Sequence, residues 1–227
     1  MRNAAFIFPG QGSQYIGMGK DFYDEFKESR YVLEEASDAL SMDLRKLCFD
    51  GSEEELRKTE NTQPAILATS IAMLRVVEKE GIDCEYTAGL SLGEYTSIVL
   101  SGGFDFFDAI KIVQKRGGFM QSAVPLGVGG MVAILGLNQQ KLSIVMESVR
   151  EEDIVEVANY NSPEQIVISG ELNGLKSASK KALELGAKKV VELPLSAPFH
   201  SSLLFKALNI SDLESFDRTM KILQGGV

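Results

Sequence analysis

The sequence predicts an α/β protein: a strand–helix domain with a second, smaller unit of strands and helices set into it. Three observations carry this. Short apolar runs, such as Ala4–Phe8 and Val128–Leu135, alternate with longer stretches of helical periodicity. Glycine, proline and asparagine punctuate the junctions between them. At 227 residues, 44% hydrophobic and 24% charged, the chain has the size and composition of one large globular domain or two small ones.

Ala4-Ala5-Phe6-Ile7-Phe8 reads as a short buried strand, stopped by Pro9 and Gly10. A helix is expected from about Tyr23 to Leu40. The next follows Asn61-Thr62-Gln63-Pro64, with Thr62 as N-cap, Pro64 in the first turn, and Ile66, Leu67, Ile71 and Leu74 on one face. Gly81 closes it. Glu85–Gly89 reads as a strand, and Leu92–Leu100 as a helix ended by Gly102-Gly103. Asp105 is placed to cap a helix running through Phe106, Ile110 and Val113 to about Met120.

Beyond this the pattern changes. Val128–Leu135 reads as a strand, Gln139–Val149 as a helix, and Ile154–Ala158 and Gln165–Ser169 as strands joined across Asn159-Tyr160-Asn161-Ser162-Pro163. Leu172–Leu185 reads as a helix and Lys188–Leu193 as a strand. That order, βαββαβ, is the ferredoxin-like unit. Pro125-Leu126-Gly127 and Pro194 mark its ends. The expected organisation is a core of residues 1–124 and 197–227 around a subdomain of residues 125–196, because the loop that follows the subdomain carries the lone histidine.

Composition also excludes function classes. Lys+Arg 23 against Asp+Glu 32 gives a net charge of −9, which disfavours a nucleic-acid binder as a whole-protein reading. No apolar run approaches the roughly 18 residues of a membrane-spanning helix. Ala4–Phe8 is too short for a signal-peptide core, so a cytoplasmic location is expected. Cys48 and Cys84 have neither metal-ligand spacing nor a disulfide framework, and His200 is the only histidine, which leaves no His-rich metal site.

Gly89-Leu90-Ser91-Leu92-Gly93 is a G-x-S-x-G motif between an expected strand and an expected helix, the setting of a nucleophile elbow. The helix N-terminus then offers partial positive charge and the Leu92 N–H to a developing oxyanion. The competing reading is a helix N-cap serine. His200 follows the serine in chain order and is the one side chain whose ordinary pKa suits a general base near neutrality, although it also reads as a structural histidine at a helix N-terminus. No carboxylate stands out as a third member beside Ser91 and His200; Asp153, Glu156 and Glu192 read as solvated surface. Pro9-Gly10-Gln11-Gly12-Ser13-Gln14 lacks the G-K-[ST] of a phosphate loop. It is either a plain strand-to-helix turn or a turn presenting the Gln11 N–H as a second oxyanion donor. Arg116, late in its helix, is either a solvated helix end or a clamp for a substrate carboxylate.

Taken in order, Phe8-Pro9-Gly10-Gln11-Gly12-Ser13-Gln14, Asn61-Thr62-Gln63-Pro64-Ala65, Gly89-Leu90-Ser91-Leu92-Gly93-Glu94-Tyr95, Gln114-Lys115-Arg116-Gly117, Asn159-Tyr160-Asn161-Ser162-Pro163 and Phe199-His200-Ser201 resemble the malonyl-CoA:acyl-carrier-protein transacylases of bacterial type II fatty-acid synthesis. The resemblance spans residues 1 to about 204. It implies an α/β-hydrolase-like core with a ferredoxin-like insertion, Ser91 as nucleophile and His200 as base, with the histidine oriented by a backbone carbonyl rather than a carboxylate. It implies an oxyanion hole from Gln11 and Leu92, a malonyl-carboxylate ligand in Arg116, and Gln63 and Asn159 lining the pocket. Phe199 resembles malonyl-type members and would limit branched acyl groups. The implied substrate is the coenzyme A thioester malonyl-CoA and the implied partner is acyl carrier protein, with no metal and no resident cofactor. Lys180, Lys181, Lys188 and Lys189 would receive the acidic carrier, or are plain solvated surface.

Two departures stand out. Leu90 occupies the place before the serine where the family often has histidine. After Ser201-Ser202-Leu203-Leu204 the family continues through further helices and strands, whereas Leu208–Leu223 resembles its extreme C-terminus. An internal stretch is therefore expected to be removed near Phe205, with a tail helix at Asp212–Leu223. Two other readings follow: a serine esterase or thioesterase sharing the elbow, and a catalytically impaired relative.

Overall fold

A computed structural model describes residues 4–124, 127–151, 153–193, 195 and 197–204. The expected tail helix Asp212–Leu223, the junction at Phe205, and Pro125, Leu126 and Pro194 lie outside the described residues. The chain divides into two compact units, the first ending at Gly118 and the second beginning at Phe119.

The first unit is mostly helical. Strand β1 (Ala5–Phe8) pairs in parallel with β2 (Tyr86–Gly89), Ala5 opposite Tyr86 and Phe8 opposite Gly89. Between them lie α1 (Lys20–Glu25), α2 (Lys27–Leu40), α3 (Leu44–Phe49), α4 (Glu53–Arg57) and α5 (Thr59–Lys79). After β2 come α6 (Gly93–Leu100) and α7 (Phe106–Ala123), the latter running across the boundary between the units. The core is built round α5, whose Leu67, Ala68 and Ile71 are fully buried with Leu33 and Ala36 of α2, Leu44, Leu56, and Ile110 and Val113 of α7. Cys48 joins this core as a free thiol, and burial pushes its pKa up to about 12.

Two expectations are corrected in this unit. The helix expected over Tyr23–Leu40 is two helices, broken at an extended Phe26, because the Arg30 guanidinium donates to the Tyr23 and Asp24 carbonyls and closes α1 early. The helix expected to start at Thr62 starts at Thr59, and Pro64 lies inside it. Lys58 already supplies its carbonyl to the Asn61 and Thr62 N–H groups, and the Thr62 hydroxyl donates to the Leu56 carbonyl at 2.5 Å instead of capping. Helix α7 runs through Gly117-Gly118, as its expected end near Met120 requires. A Cβ at Gly117 would stand 2.6 Å from the Thr59 carbonyl oxygen, so glycine is there for close packing against the start of α5.

The second unit holds β3 (Gly129–Leu135), α8 (Gln139–Val149), β4 (Val155–Ser162), β5 (Gln165–Glu171), α9 (Leu172–Glu184) and β6 (Lys189–Glu192). The four strands form an antiparallel sheet in the order β4-β5-β3-β6. One face carries Val132, Ile134, Ile166 and Ile168 against Leu142, Val145, Leu175 and Ala178 of the helices. The other carries Met131, Ala133 and Val167 against Ala197 and Phe199. β4 continues through Asn159-Tyr160-Asn161-Ser162, expected as a loop. Backbone pairing to β5 outweighs the polar composition, with register shifts after Val157 and Tyr160, and leaves only Pro163 and Glu164 for the turn.

Candidate active site

Ser91 lies between the end of β2 and the start of α6, and the turn is built by close approach. A Cβ at Gly89 would stand 1.9 Å from the Gly93 carbonyl carbon, and one at Gly93 would stand 2.3 Å from the Phe8 carbonyl oxygen. Only glycine at both places lets α6 begin directly over the strand ends. The turn forces Ser91 to a left-handed φ of 53°, a conformation costing a non-glycine residue about 1–2 kcal/mol. Ser91 is not the N-cap: Leu92 holds that place, and no side chain caps α6. The loop after β1 meets the same turn, since a Cβ at Gly10 would fall 2.5 Å from the Leu90 carbonyl oxygen. That puts Gln11 beside the turn. Ser97 on α6 donates to Thr87 Oγ1 of β2 at 3.0 Å and ties the helix to the strand.

Four residues singled out in the sequence come together inside this unit. Arg116 Nη2 donates to Ser91 Oγ at 3.1 Å, and its Nη1 donates to Gln63 Oε1 at 2.7 Å. Gln63 Nε2 donates in turn to Gln11 Oε1 at 3.4 Å, and Gln11 Nε2 to Thr59 Oγ1 at 3.2 Å. Arg116 is therefore no solvated helix end. Burial holds its guanidinium below the usual pKa, partly offset by Tyr95 and Glu94. Among the described residues no carboxylate lies within ion-pair distance of it.

Two members of this site carry no role in the sequence reading. The Tyr95 ring lies 5.6 Å from the Arg116 guanidinium carbon and stacks on Phe104 at 6.5 Å. Burial pushes its hydroxyl pKa up, against the pull of the Arg116 charge. Its place in the first turn of the helix that follows the G-x-S-x-G motif is the signal that could have found it. Thr59 has no such signal, since its part depends on α5 starting earlier than its composition suggests.

The second unit holds His200, Phe199, Asn159 and the four lysines. His200 is exposed and left-handed, with φ 58°. Among the described residues only Ser41, Ser91 and His200 are non-glycine residues at positive φ. The segment carrying His200 is pinned locally: Ser201 Oγ donates to the Pro198 carbonyl at 2.7 Å, and the Ser202 N–H to Glu156 Oε2 at 2.6 Å. Glu156 is thus an anchor of this segment rather than plain solvated surface. Phe199 is buried against the sheet, and Asn159 is half-buried on β4. Of the four lysines considered for a partner, Lys181 pairs with Glu184 at 3.7 Å and Lys188 with Glu164 at 3.1 Å. Among the described residues no cluster of histidine, cysteine, aspartate or glutamate is placed to hold a metal ion, and no helix is long and apolar enough to cross a membrane.

A family model described as "Acyl transferase domain" matches residues 5–208. The chain belongs to the acyl transferase domain family. A malonyl CoA-acyl carrier protein transacylase of Bacillus subtilis (strain 168) is 48% identical over 205 residues, covering 90% of this chain and 65% of that protein. One from Staphylococcus aureus (strain MRSA252) is 43% identical, with 90% and 66% covered. The crystal structure of the Clostridium perfringens enzyme of that name aligns with TM-score 0.88 at 47% identity, covering 94% of this chain and 67% of that one. A type II polyketide acyl-carrier protein in complex with its malonyl-transacylase aligns with TM-score 0.88 at 42% identity, covering 91% and 67%. The chain thus spans about two-thirds of the length of these relatives.

Proposed function

We propose that this acyl transferase moves malonyl from coenzyme A to the phosphopantetheine thiol of acyl carrier protein through a malonyl ester on Ser91. The observation that carries the reading is Arg116, a largely desolvated cation with no carboxylate in ion-pair distance among the described residues, whose guanidinium hydrogen-bonds the serine of a strained elbow. A cation so placed suits an acyl group that ends in a carboxylate. The names of the relatives supply the donor and the acceptor.

In the proposed first half-reaction His200 takes the Ser91 proton as Oγ attacks the thioester carbonyl carbon. The Gln11 and Leu92 N–H groups receive the oxyanion, each worth about 3 kcal/mol in comparable sites. The C–S bond breaks, the coenzyme A sulfur takes the proton from His200, and the malonyl ester remains. In the second half-reaction the carrier thiol gives its proton to His200 and attacks the ester carbonyl carbon. Ser91 Oγ leaves and recovers a proton, which makes the kinetics ping-pong. Gln63 and Asn159 are assigned to the pocket lining, and Phe199 to limiting branched acyl groups. No metal or resident cofactor takes part in the scheme, and the proposed setting is the cytoplasm.

We read the architecture as an α/β-hydrolase-like core of residues 1–124 and 197–227 with a ferredoxin-like subdomain of residues 125–196 inserted. The β4-β5-β3-β6 order supports this. So does the antiparallel pairing of β3 with β6, Val132 opposite Glu192, which brings the two ends of the subdomain side by side as an insertion requires.

A slow or impaired transferase is the second reading. It is favoured by the outer face of the β1–β2 pair, where Ile7 is 79% and Tyr86 69% exposed. Incubation with malonyl-CoA followed by intact mass decides. A malonyl adduct that appears within minutes and is absent from Ser91→Ala supports the proposal. An adduct persisting in Ser91→Ala sinks the nucleophile, and one forming only over hours selects the impaired reading.

A further inference from the structure

We infer that Arg116 is a latch on the nucleophile, released by the carboxylate of the acyl group itself. The inference deepens the transferase reading and rests on it for the identity of that carboxylate. It begins from the hydrogen bonds that Arg116 makes within the site. Nη2 of Arg116 is committed to Ser91 Oγ at 3.1 Å and Nη1 to Gln63 Oε1 at 2.7 Å. Both acceptors are neutral.

A guanidinium has donors and no acceptor, so Ser91 Oγ spends one of its two lone pairs on this bond. A cation bonded to the oxygen draws electron density from it and lowers its reactivity toward a carbonyl carbon. Each Nη carries two N–H groups; a carboxylate at the end of the fork accepts one from each, and in the latch these are the ones now given to Ser91 and Gln63. A charged acceptor outcompetes two neutral ones in a desolvated setting. Its arrival then takes the Nη2 bond from Ser91 and restores the reactivity of the oxygen. An acyl group without a carboxylate meets a serine oxygen still bonded to the cation.

Selection then acts on nucleophilicity as well as on binding. The fork is built for the exchange. The Tyr95 ring, 5.6 Å away and stacked on Phe104, holds the guanidinium while its partners change. Gln63, once released by Nη1, keeps its own bond to Gln11 Oε1 at 3.4 Å. The change is therefore felt at Gln11, on the loop that reaches the elbow.

The test uses a neutral serine-directed probe on the whole chain, an alkyl fluorophosphonate. Ser91 Oγ forms the P–O bond, fluoride leaves, and the serine proton passes to solvent. Labelling is followed by intact mass, and its position by peptide mass. Acetate is added as a minimal carboxylate, and acetamide, of equal size and no charge, is the control at matched ionic strength. The expected result is roughly tenfold faster labelling of Ser91 with acetate, the worth of one charge-assisted hydrogen bond, and no change with acetamide. Arg116→Ala should label without help and lose the acetate response.

The acetate arm needs no substitution, so a poorly folded variant leaves it standing. Unchanged or slower labelling with acetate overturns the latch, as does an acetate response that persists in Arg116→Ala, or no labelling in any arm. If acetate accelerates labelling but malonyl-CoA leaves no adduct, the transferase reading falls and the latch stands. If malonyl-CoA leaves an adduct and acetate does nothing, the latch alone falls.

Discussion

The two sheets of this chain invert the usual relation between strand direction and cover. Parallel strands are normally buried on both faces, while antiparallel sheets can leave one face in water. Here the antiparallel sheet of the second unit is covered on both faces, by α8 and α9 on one side and by Ala197 and Phe199 on the other. The parallel β1–β2 pair of the first unit buries Phe8 and exposes Ile7 and Tyr86. The described part of the first unit therefore draws its stability from helices packed on α5, and its strands serve chiefly to hold the elbow. The strands of the second unit are themselves core. In the first unit the strand positions that matter should be those that shape the elbow, and in the second those whose side chains fill the core.

The sharpest contrast lies at the elbow. Gly89→Ala should destabilise the first unit by on the order of 4 kcal/mol or more, because its Cβ meets backbone rather than a movable side chain. Urea unfolding followed by circular dichroism would read this, and a loss under about 1 kcal/mol would mean that the turn adapts. Next in size is Ile168→Ala in the middle of β5. A fully buried isoleucine loses transfer energy and leaves a cavity, about 2–5 kcal/mol. A smaller effect comes from Glu156→Gln, which removes the charge from the bond to the Ser202 N–H. About 1 kcal/mol of local protection should go, visible as faster hydrogen exchange at Ser202 with little change in global stability. The smallest is Ile7→Lys on the exposed face, within about 0.5 kcal/mol in the same urea assay. A cost above about 2 kcal/mol there would break the comparison and mean that something covers β1.

The second unit was nearly all legible in the sequence. Gln139–Val149 is found where periodicity places it, and β3, β5, β6 and α9 lie within a residue or two of expectation. Their signals are local: β-branched alternation, an Asn138 cap whose side chain accepts from the Lys141 N–H, and glycine punctuation. The misses have two physical causes. Asn159–Ser162 joins β4 only because β5 lies beside it. The break at Phe26 and the early start of α5 come instead from bonds made a few residues away, by Arg30 and by the Lys58 and Leu56 carbonyls. At the site, the serine elbow and the proximity of Gln11, Gln63 and Arg116 could be anticipated from motifs in series. The direct bond from Arg116 to Ser91 could not, because a linear spacing of 25 residues carries no geometry.

The left-handed φ of Ser91 also bears on how such a sequence ages. At 53° a glycine would sit without strain. Folding alone thus favours the substitution Ser91→Gly, and under the proposed mechanism only the reaction holds the serine in place. In a lineage released from that demand, position 91 should be among the first to drift, toward glycine and toward a more stable protein. The strained serine is in that sense a record of use. Under the proposed mechanism, its persistence at 91 means that selection for chemistry has outweighed the conformational gain from its loss.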